Sequence, residues 1–316
     1  MNKPVDVAAI IISLNSKHFL KDCLRSLKET AWDNYTYEII VVDNGSTDGT
    51  VEYLRAEHPD VRLIANAKNV GFCAAGNQGA DASLARYFFF LNDDILFGEN
   101  SLPPLIRFLD EHPQAGMIGS RLLNIDGTDQ FSSGRTFPHP MNAVFSRASP
   151  LTRMFPNVKW AKGYLLQGKF NDLEPFTVDW LSAAAMMVTR KCFYDADKLV
   201  EDFYYFHEHI ICARALRKGY EIYLHPQSKI IHYEGAGSGV RTRKVRIKHI
   251  ERFHVAAYKW FCLHHGIARH NPLRAVVAAT LALRASLLMG IESLKPEERK
   301  IKMSLDSGRP QGGIPL

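Results

Sequence analysis

Phe88-Phe89-Phe90-Leu91-Asn92-Asp93-Asp94-Ile95 runs from aromatic and aliphatic side chains straight into an amide and two carboxylates. An unbroken apolar run bounded by polar residues suits a strand buried on both faces of a parallel sheet. Ligands of an open α/β sheet gather just beyond the carboxyl ends of its strands, which is where Asn92, Asp93 and Asp94 fall. Asn92 and Asp94 alternate across Asp93, so an extended chain points both to one side. Two oxygen donors so placed can hold a hard divalent cation whose remaining ligands are phosphate oxygens. A solvated loop whose aspartate caps the next helix is the other reading of the same residues.

On both sides of this strand the chain alternates between strand and helix patterns. Residues 7–12 read as a strand ending in Ser13-Leu14-Asn15, and Ser16 is placed to cap a helix with Phe19, Leu20, Cys23, Leu24 and Leu27 on one face. Residues 38–42 form a β-branched strand. It ends in Asp43-Asn44-Gly45-Ser46, a good turn sequence. A short strand at 61–64, a small-residue helix at 73–84, the central strand at 87–91, a helix near 102–111 and a strand near 117–122 follow. Such alternation argues a doubly wound, mostly parallel sheet flanked by helices. The pattern dissolves over 126–171, where prolines recur; a loop of that length in a compact domain is commonly functional. A strand from 177 to about 188, a helix from about Tyr205 to a Gly219 stop, and short strands at 222–224 and 229–231 complete the half.

The 316 residues are 46% hydrophobic and carry a net charge of +6, which suits an anionic partner. Five scattered cysteines with no CxxC pair indicate neither a zinc knuckle nor a disulfide framework, and a reducing cytosol fits. The N-terminus reads as the first strand and not as a signal peptide. After Ser238 the character changes: Arg241, Arg243, Lys244, Arg246, Lys248 and Arg252 crowd together, and aromatics follow. Residues 273–294 are apolar but interrupted by Arg274, Arg284 and Glu292. These features predict helices lying on an anionic membrane surface, the other reading being a soluble helical subdomain packed on the core. The tail from residue 296 is expected to be disordered.

Four motifs occur in order: VVDNGSTDGT at 41–50, NAKNVGFCAAGNQG at 66–79, LNDD at 91–94, and the spaced set VDW at 178–180, CARALRKGY at 212–220 and IHYEGAGS at 231–238. Together they resemble a family 2 glycosyltransferase of the GT-A fold, particularly the bacterial rhamnosyltransferase-like branch that builds surface polysaccharides. The resemblance covers roughly residues 5–240 and implies a glycosyltransferase domain over 1–240. Its nucleotide-binding half would be about 1–125 and its acceptor-binding half about 126–240, with a helical membrane-associating extension at 241–295.

The resemblance also implies roles for individual residues. Ser13, Asn15, Asp43, Asn69, Gly71, Asn92 and Asp93 would line the nucleotide-sugar pocket, and Asp94 with His232 would hold Mg²⁺ or Mn²⁺. Asp179 and Trp180 would meet the acceptor. Glu208 would be the base, as the only carboxylate between Phe203 and Tyr220. The family's neighbouring acids are replaced here by His207, His209 and Ile210, which leaves open an altered base, altered acceptor chemistry or a catalytically impaired sugar-nucleotide or glycan-binding homologue. The implied activity is inverting, metal-dependent transfer from a nucleoside diphosphate sugar, of rhamnose or another hexose, to a glycan or polyprenyl-diphosphate-linked acceptor. It would take place at the cytoplasmic, inner face of the cell membrane. Nothing beyond the basic stretch points to nucleic acid, and no G-x-G-x-x-G follows the first strand, which argues against a dinucleotide-dependent oxidoreductase.

Overall fold

The computed structural model describes residues 5–130, 132–137, 169–233, 240–295 and 298–300. Most of the proline-rich interval, Gly235 and Ser238 of the fourth motif, and the tail beyond residue 300 lie outside the described residues.

The first strand, β1 (Val7–Ser13), is buried at every position. It pairs in parallel with β2 (Tyr37–Asp43) and with β4 (Tyr87–Asn92), and β2 pairs with β3 (Arg62–Ala65). The Phe run divides by strand alternation. Phe89 and Leu91 join Val7, Ala9 and Ile11 in one core, and Phe88 and Phe90 join Ala8, Ile10 and Ile12 in the other. The sheet is thus sandwiched between two apolar layers, and each fully buried Phe contributes about 1.5–3 kcal/mol. Helices α1 (Lys17–Glu29), α2 (Thr50–Glu57) and α4 (Pro103–Glu111) cover the first face, and α3 (Phe72–Asp81) covers the second.

The second half departs from a simple doubly wound pattern. The strand expected across 177–188 is three pieces: β8 (Phe176–Thr177), β9 (Trp180–Leu181) and β10 (Ala185–Thr189). Strand β10 inserts antiparallel between β4 and β6 (Ala115–Leu123). The two short strands expected around His225-Pro226 are one, β11 (Glu221–His232), which follows β6 in parallel with a bulge between His225 and Lys229. The bulge absorbs the proline, which cannot donate to a ladder. Strand β5 (Ile95–Phe97), not anticipated, pairs antiparallel with the end of β11. A short strand β7 (Gly134–Arg135) pairs with β9.

Two helices, α5 (Arg190–Asp195) and α6 (His207–Arg217), close the second core. Beyond them α7 (Arg243–His264) and α8 (Leu273–Ser293) form a hairpin, and α7 docks on α6 through Ala256 and Trp260 against Phe206, Ile210 and Ala213. The main-chain pair β12 (Val240–Thr242) and β13 (Glu298–Lys300) ties the two ends of this hairpin together.

The cap of α1 differs from expectation. The Ser16 hydroxyl donates to the Leu14 carbonyl, and the Lys17 amide is capped instead by Asp48 Oδ2 at 3.0 Å. Asp48 also accepts from Thr50 at the start of α2, so one carboxylate serves two helix starts.

Helix α3 approaches the sheet so closely that a Cβ on Gly79 would lie 2.4 Å from Ile10 Cγ2. Ile10 is β-branched and fully buried, so it cannot swing aside. Gly79→Ala is therefore expected to destabilise the protein by about 1–3 kcal/mol, read as a lowered urea midpoint at constant slope; an unchanged midpoint would show the contact to be soft.

Candidate active site

The parallel register sets Ser13 beside Asp43 and Ile12 beside Asn92, so these polar residues share one edge of the sheet. After Asn92 the chain bends through Asp93 and Asp94 and returns as β5. The β5–β11 pairing aligns Ile95 with His232, and the Tyr233 amide donates to the Asp94 carbonyl at 2.9 Å. His232 is thereby brought beside Asp94, with its Nε2 3.4 Å from Asp94 Oδ1 and 3.2 Å from Asn92 Nδ2.

Gln130 fixes the imidazole. Its Nε2 donates to the His232 carbonyl at 2.5 Å, so its Oε1 accepts from His232 Nδ1–H at 2.9 Å. In the neutral ring, Nε2 then accepts from the Asn92 amide and lies beside Asp94 Oδ1, a buried oxygen with no hydrogen-bond partner. A cation at this corner would satisfy the orphaned Asp94 oxygen, and an outer-shell acceptor on the far nitrogen is the usual support of a metal-binding histidine. Among the described residues no three His, Cys, Asp or Glu side chains cluster as a complete metal cage, so a cation here would complete its shell with ligand oxygens. The Gln130 loop is itself clamped by a bidentate Arg121–Asp129 pair at 2.5 and 3.0 Å.

The adjoining cleft has a volume of about 770 Å³, and Ser13, Asn69, Gly71, Asn92, Asp93, Asp94, Glu208 and His232 all line it. Asn69 Oδ1 accepts from the Gly71 amide at 2.8 Å. Gly71 has φ of +92° with open space where a Cβ would be, so the bare backbone faces the cleft. Asp43 lies behind this wall. Its Oδ1 makes the expected turn by accepting from Gly45 and Ser46, while its buried Oδ2 lacks a partner. Asn15 also holds the loop, accepting from the Thr47 amide at 2.7 Å and donating its own to Ser46 Oγ.

Burial, and then the Asp94 charge, push the Asp93 carboxyl up to about 7, against the pull of the Ser13 and Ser16 hydroxyls and the Leu14 amide. Glu208 behaves oppositely. Burial alone would raise it, but His207 and His209 outweigh that and bring it to about 2. Their ring nitrogens lie 3.4 and 3.6 Å from its oxygens, and only 19% of its side chain is exposed. Glu208 is thus no solvated first-turn acid; it is a held carboxylate whose Oε2 is buried beside His207 and makes no hydrogen bond. Phe206, the residue before α6, takes the left-handed conformation at φ +66°, a strained state for an aromatic residue. It delivers the first turn of α6 to the cleft.

The model of the glycosyl transferase family 2 matches residues 8–188, more than half of the chain. This chain belongs to glycosyl transferase family 2. An N-acetylglucosaminyl-diphospho-decaprenol L-rhamnosyltransferase of Mycobacterium tuberculosis is 25% identical over 280 residues, 84% of this chain and 87% of the relative. A PGL/p-HBAD biosynthesis glycosyltransferase of Mycobacterium bovis is 32% identical over 114 residues, 34% of this chain and 43% of the relative. Among solved structures, the mannosyltransferase PcManGT of Pyrobaculum calidifontis, in complex with GDP-Man and Mn²⁺, has a TM-score of 0.54 at 16% identity. That match covers 92% of this chain and 80% of that one. GalNAc-T7 with UDP, GalNAc and Mn²⁺ also has a TM-score of 0.54, at 13% identity, over 73% of this chain and 44% of that one. These structures share the mixed α/β GT-A-like fold.

Within this glycosyltransferase, Asp179 and Trp180 are not among the residues that line the cleft. Asp179 Oδ2 accepts from the Phe137 amide at 2.7 Å, and Trp180 is buried, donating from its indole to the Thr136 carbonyl. Trp180 stacks on His209 with ring centroids 4.0 Å apart, so it positions the residue next to Glu208. Of the two histidines that flank Glu208, His207 lines the cleft and packs on Phe72. His209 is walled in by aromatic rings, and burial lowers its pKa. Sequence reading missed Gln130, whose partner is 102 positions away. It also missed Arg252, which reaches the cleft from α7; the i, i+4 spacing of Lys248 and Arg252 was a usable signal.

The raised Asp93 pKa has a signed consequence for the metal-free enzyme. The unfolded carboxyl ionises near pH 4 and the folded one near 7, so the unfolded state holds fewer protons between them and stability falls as pH rises through that window. Asp93→Asn, measured in EDTA, is expected to stabilise the protein at pH 8 by on the order of 2–4 kcal/mol and to give no gain at pH 4. A gain independent of pH would rule out this ionisation as the cause.

Proposed function

We propose that this glycosyltransferase is an inverting, metal-dependent enzyme of cell-surface glycan synthesis. It transfers rhamnose or another hexose from a nucleoside diphosphate sugar to a polyprenyl-diphosphate-linked or polysaccharide acceptor. The observation that carries the reading is the orphaned Asp94 Oδ1 facing a His232 nitrogen held by Gln130, in the cleft that Glu208 also lines. The names of the mycobacterial rhamnosyltransferase and of the Mn²⁺-containing neighbours support the donor, acceptor and cation classes.

In this reading Asp94 and His232 would hold Mg²⁺ or Mn²⁺ for the diphosphate. The cation, when bound, neutralises charge on the leaving nucleoside diphosphate. Asn69, Gly71, Ser13 and Asn92 shape the pocket around the donor, and Asp43 Oδ2 supplies a buried acceptor behind it. The Glu208 carboxylate takes the proton of the acceptor hydroxyl as that oxygen attacks the anomeric carbon from the face opposite the leaving group. Glu208 lines the same cleft as the Asp94–His232 corner and is ionised at neutral pH, as a base must be.

Asp94→Ala should abolish Mn²⁺-dependent nucleoside diphosphate binding with the fold retained, whereas Glu208→Gln should keep donor binding and lower transfer by about 10²–10⁴-fold. Calorimetry and transfer rates measured side by side decide it: undiminished nucleotide binding by the first variant, or wild-type transfer by the second, removes that assignment.

The same proposal places the enzyme on the inner membrane face through α8. This helix is 21 residues long, its most apolar 18-residue window has a mean hydropathy of 1.6, and two of its charged residues reach partners at α7. Glu292 meets Arg246 at 2.5 Å and Lys295 at 2.7 Å, and Arg284 meets His254 at 2.7 Å. Two of the charges that interrupt the apolar run, Arg284 and Glu292, thus join the seam with α7, while Val276, Leu283, Leu287 and Leu294 are 60–89% exposed. An apolar surface facing outward from a polar seam fits a lipid boundary. Wild type should float with anionic vesicles even in 1 M salt, and Leu283→Glu with Leu287→Glu should release it; a wild-type chain that stays in the soluble fraction at low salt would contradict the placement.

A further inference from the structure

We propose that a groove along α7 binds the diphosphate of a lipid-linked acceptor, with Arg252 as its principal cation and Lys248 and Lys259 beside it. This rests on the glycosyltransferase reading above and assigns the acceptor to residues outside the matched family region.

The groove, about 320 Å³, opens beside the catalytic cleft, and the two share Asp202, Tyr204 and Arg252 as a common wall. Lys248, Arg252 and Lys259 recur at helical spacing on α7 and all line the groove, together with Val255, which is 51% exposed. Asp202 and Glu251 line it too, leaving three cations against two carboxylates.

The segment just before Glu208 fixes this basic face in place. Arg252 lies over the Tyr204 ring at 4.6 Å, Lys259 over Phe203 at 5.8 Å, and Tyr205 meets His249 at 2.5 Å. The residues that lead into the base are therefore the ones that seat the cations. The groove thus sets a guanidinium and two ammonium groups beside the cleft that Glu208 lines, on a hairpin that also carries exposed apolar side chains. An acceptor built as sugar, diphosphate and hydrocarbon needs these three environments side by side. Its reacting hydroxyl belongs at Glu208, and its diphosphate one ring away from it. A guanidinium suits that position because its fork meets phosphate oxygens in pairs.

The test separates this site from the nucleotide corner. Farnesyl diphosphate is titrated into the full chain in EDTA, where the Asp94–His232 corner lacks its cation. Wild type should bind; Arg252→Ala and the pair Lys248→Ala with Lys259→Ala should weaken binding by about 10–100-fold, Arg252→Lys should recover part of the loss, and Asp94→Ala should bind as wild type does. Farnesol should bind at least tenfold more weakly. Wild-type affinity in Arg252→Ala, loss of binding in Asp94→Ala, or equal affinity for farnesol would overturn the proposal. So would displacement of farnesyl diphosphate by phosphatidylglycerol vesicles at equal phosphate, which would make the groove a headgroup site. Failure of the broader reading has a different signature: wild type would then bind no nucleoside diphosphate in Mn²⁺.

Discussion

The pairing of β5 with the end of β11 is the contact on which the site depends. Asp94 and His232 are far apart in the chain, and neither side chain is long. Three ladder positions, Phe97 to Ile230 through Ile95 to His232, hold them within 3.4 Å. The rest of the molecule serves that registration. Strand β11 is anchored along its length to β6, the bulge at His225 sets which residues face the cleft, and the Arg121–Asp129 clamp keeps Gln130 behind the imidazole. Because strand faces alternate, a slip of one residue would turn His232 to the opposite side of the sheet.

Much of the nucleotide half was legible because its signals are local. Apolar runs ending in polar clusters at Ser13, Asp43 and Asn92 located three strand ends, and the parallel register joined them in one row. The resemblance supplied the partner at His232. What escaped was non-local. Strand β10 reads from sequence like one more parallel strand, since an interior strand is apolar whichever way it runs. The dipeptide His225-Pro226 reads as a break because a bulge costs no more residues than a turn. Asp179 and Trp180 fall in a motif, yet the fold spends them on holding residues 136–137 and His209.

The basic stretch shows how one compositional signal can have several physical uses. Read as a run, it predicts a charged surface. In the folded protein Arg243 and Arg246 turn toward the end of α8, at the Lys295 carbonyl and Glu292. Arg252 turns the other way, into the cleft. The Arg246–Glu292 pair is nearly buried, with 12% and 11% of the side chains exposed. Such a pair adds little net stability over an apolar contact, but losing one partner strands the other. It specifies how α8 sits on α7 and leaves the apolar residues on the outside.

The antiparallel strand in the middle of the sheet also constrains how the chain is made. Strands β4 and β6 are both synthesised well before β10, and they are never neighbours; β10 must slot between them. Until residues 185–189 have left the ribosome, both strands carry an open hydrogen-bonding edge, flanked by the most apolar stretch of the protein. Unpaired edges of this kind template association between chains. The emerging N-terminal half is therefore an aggregation-prone intermediate, and the synthesis of this enzyme passes through a window in which a chaperone has a defined surface to cover.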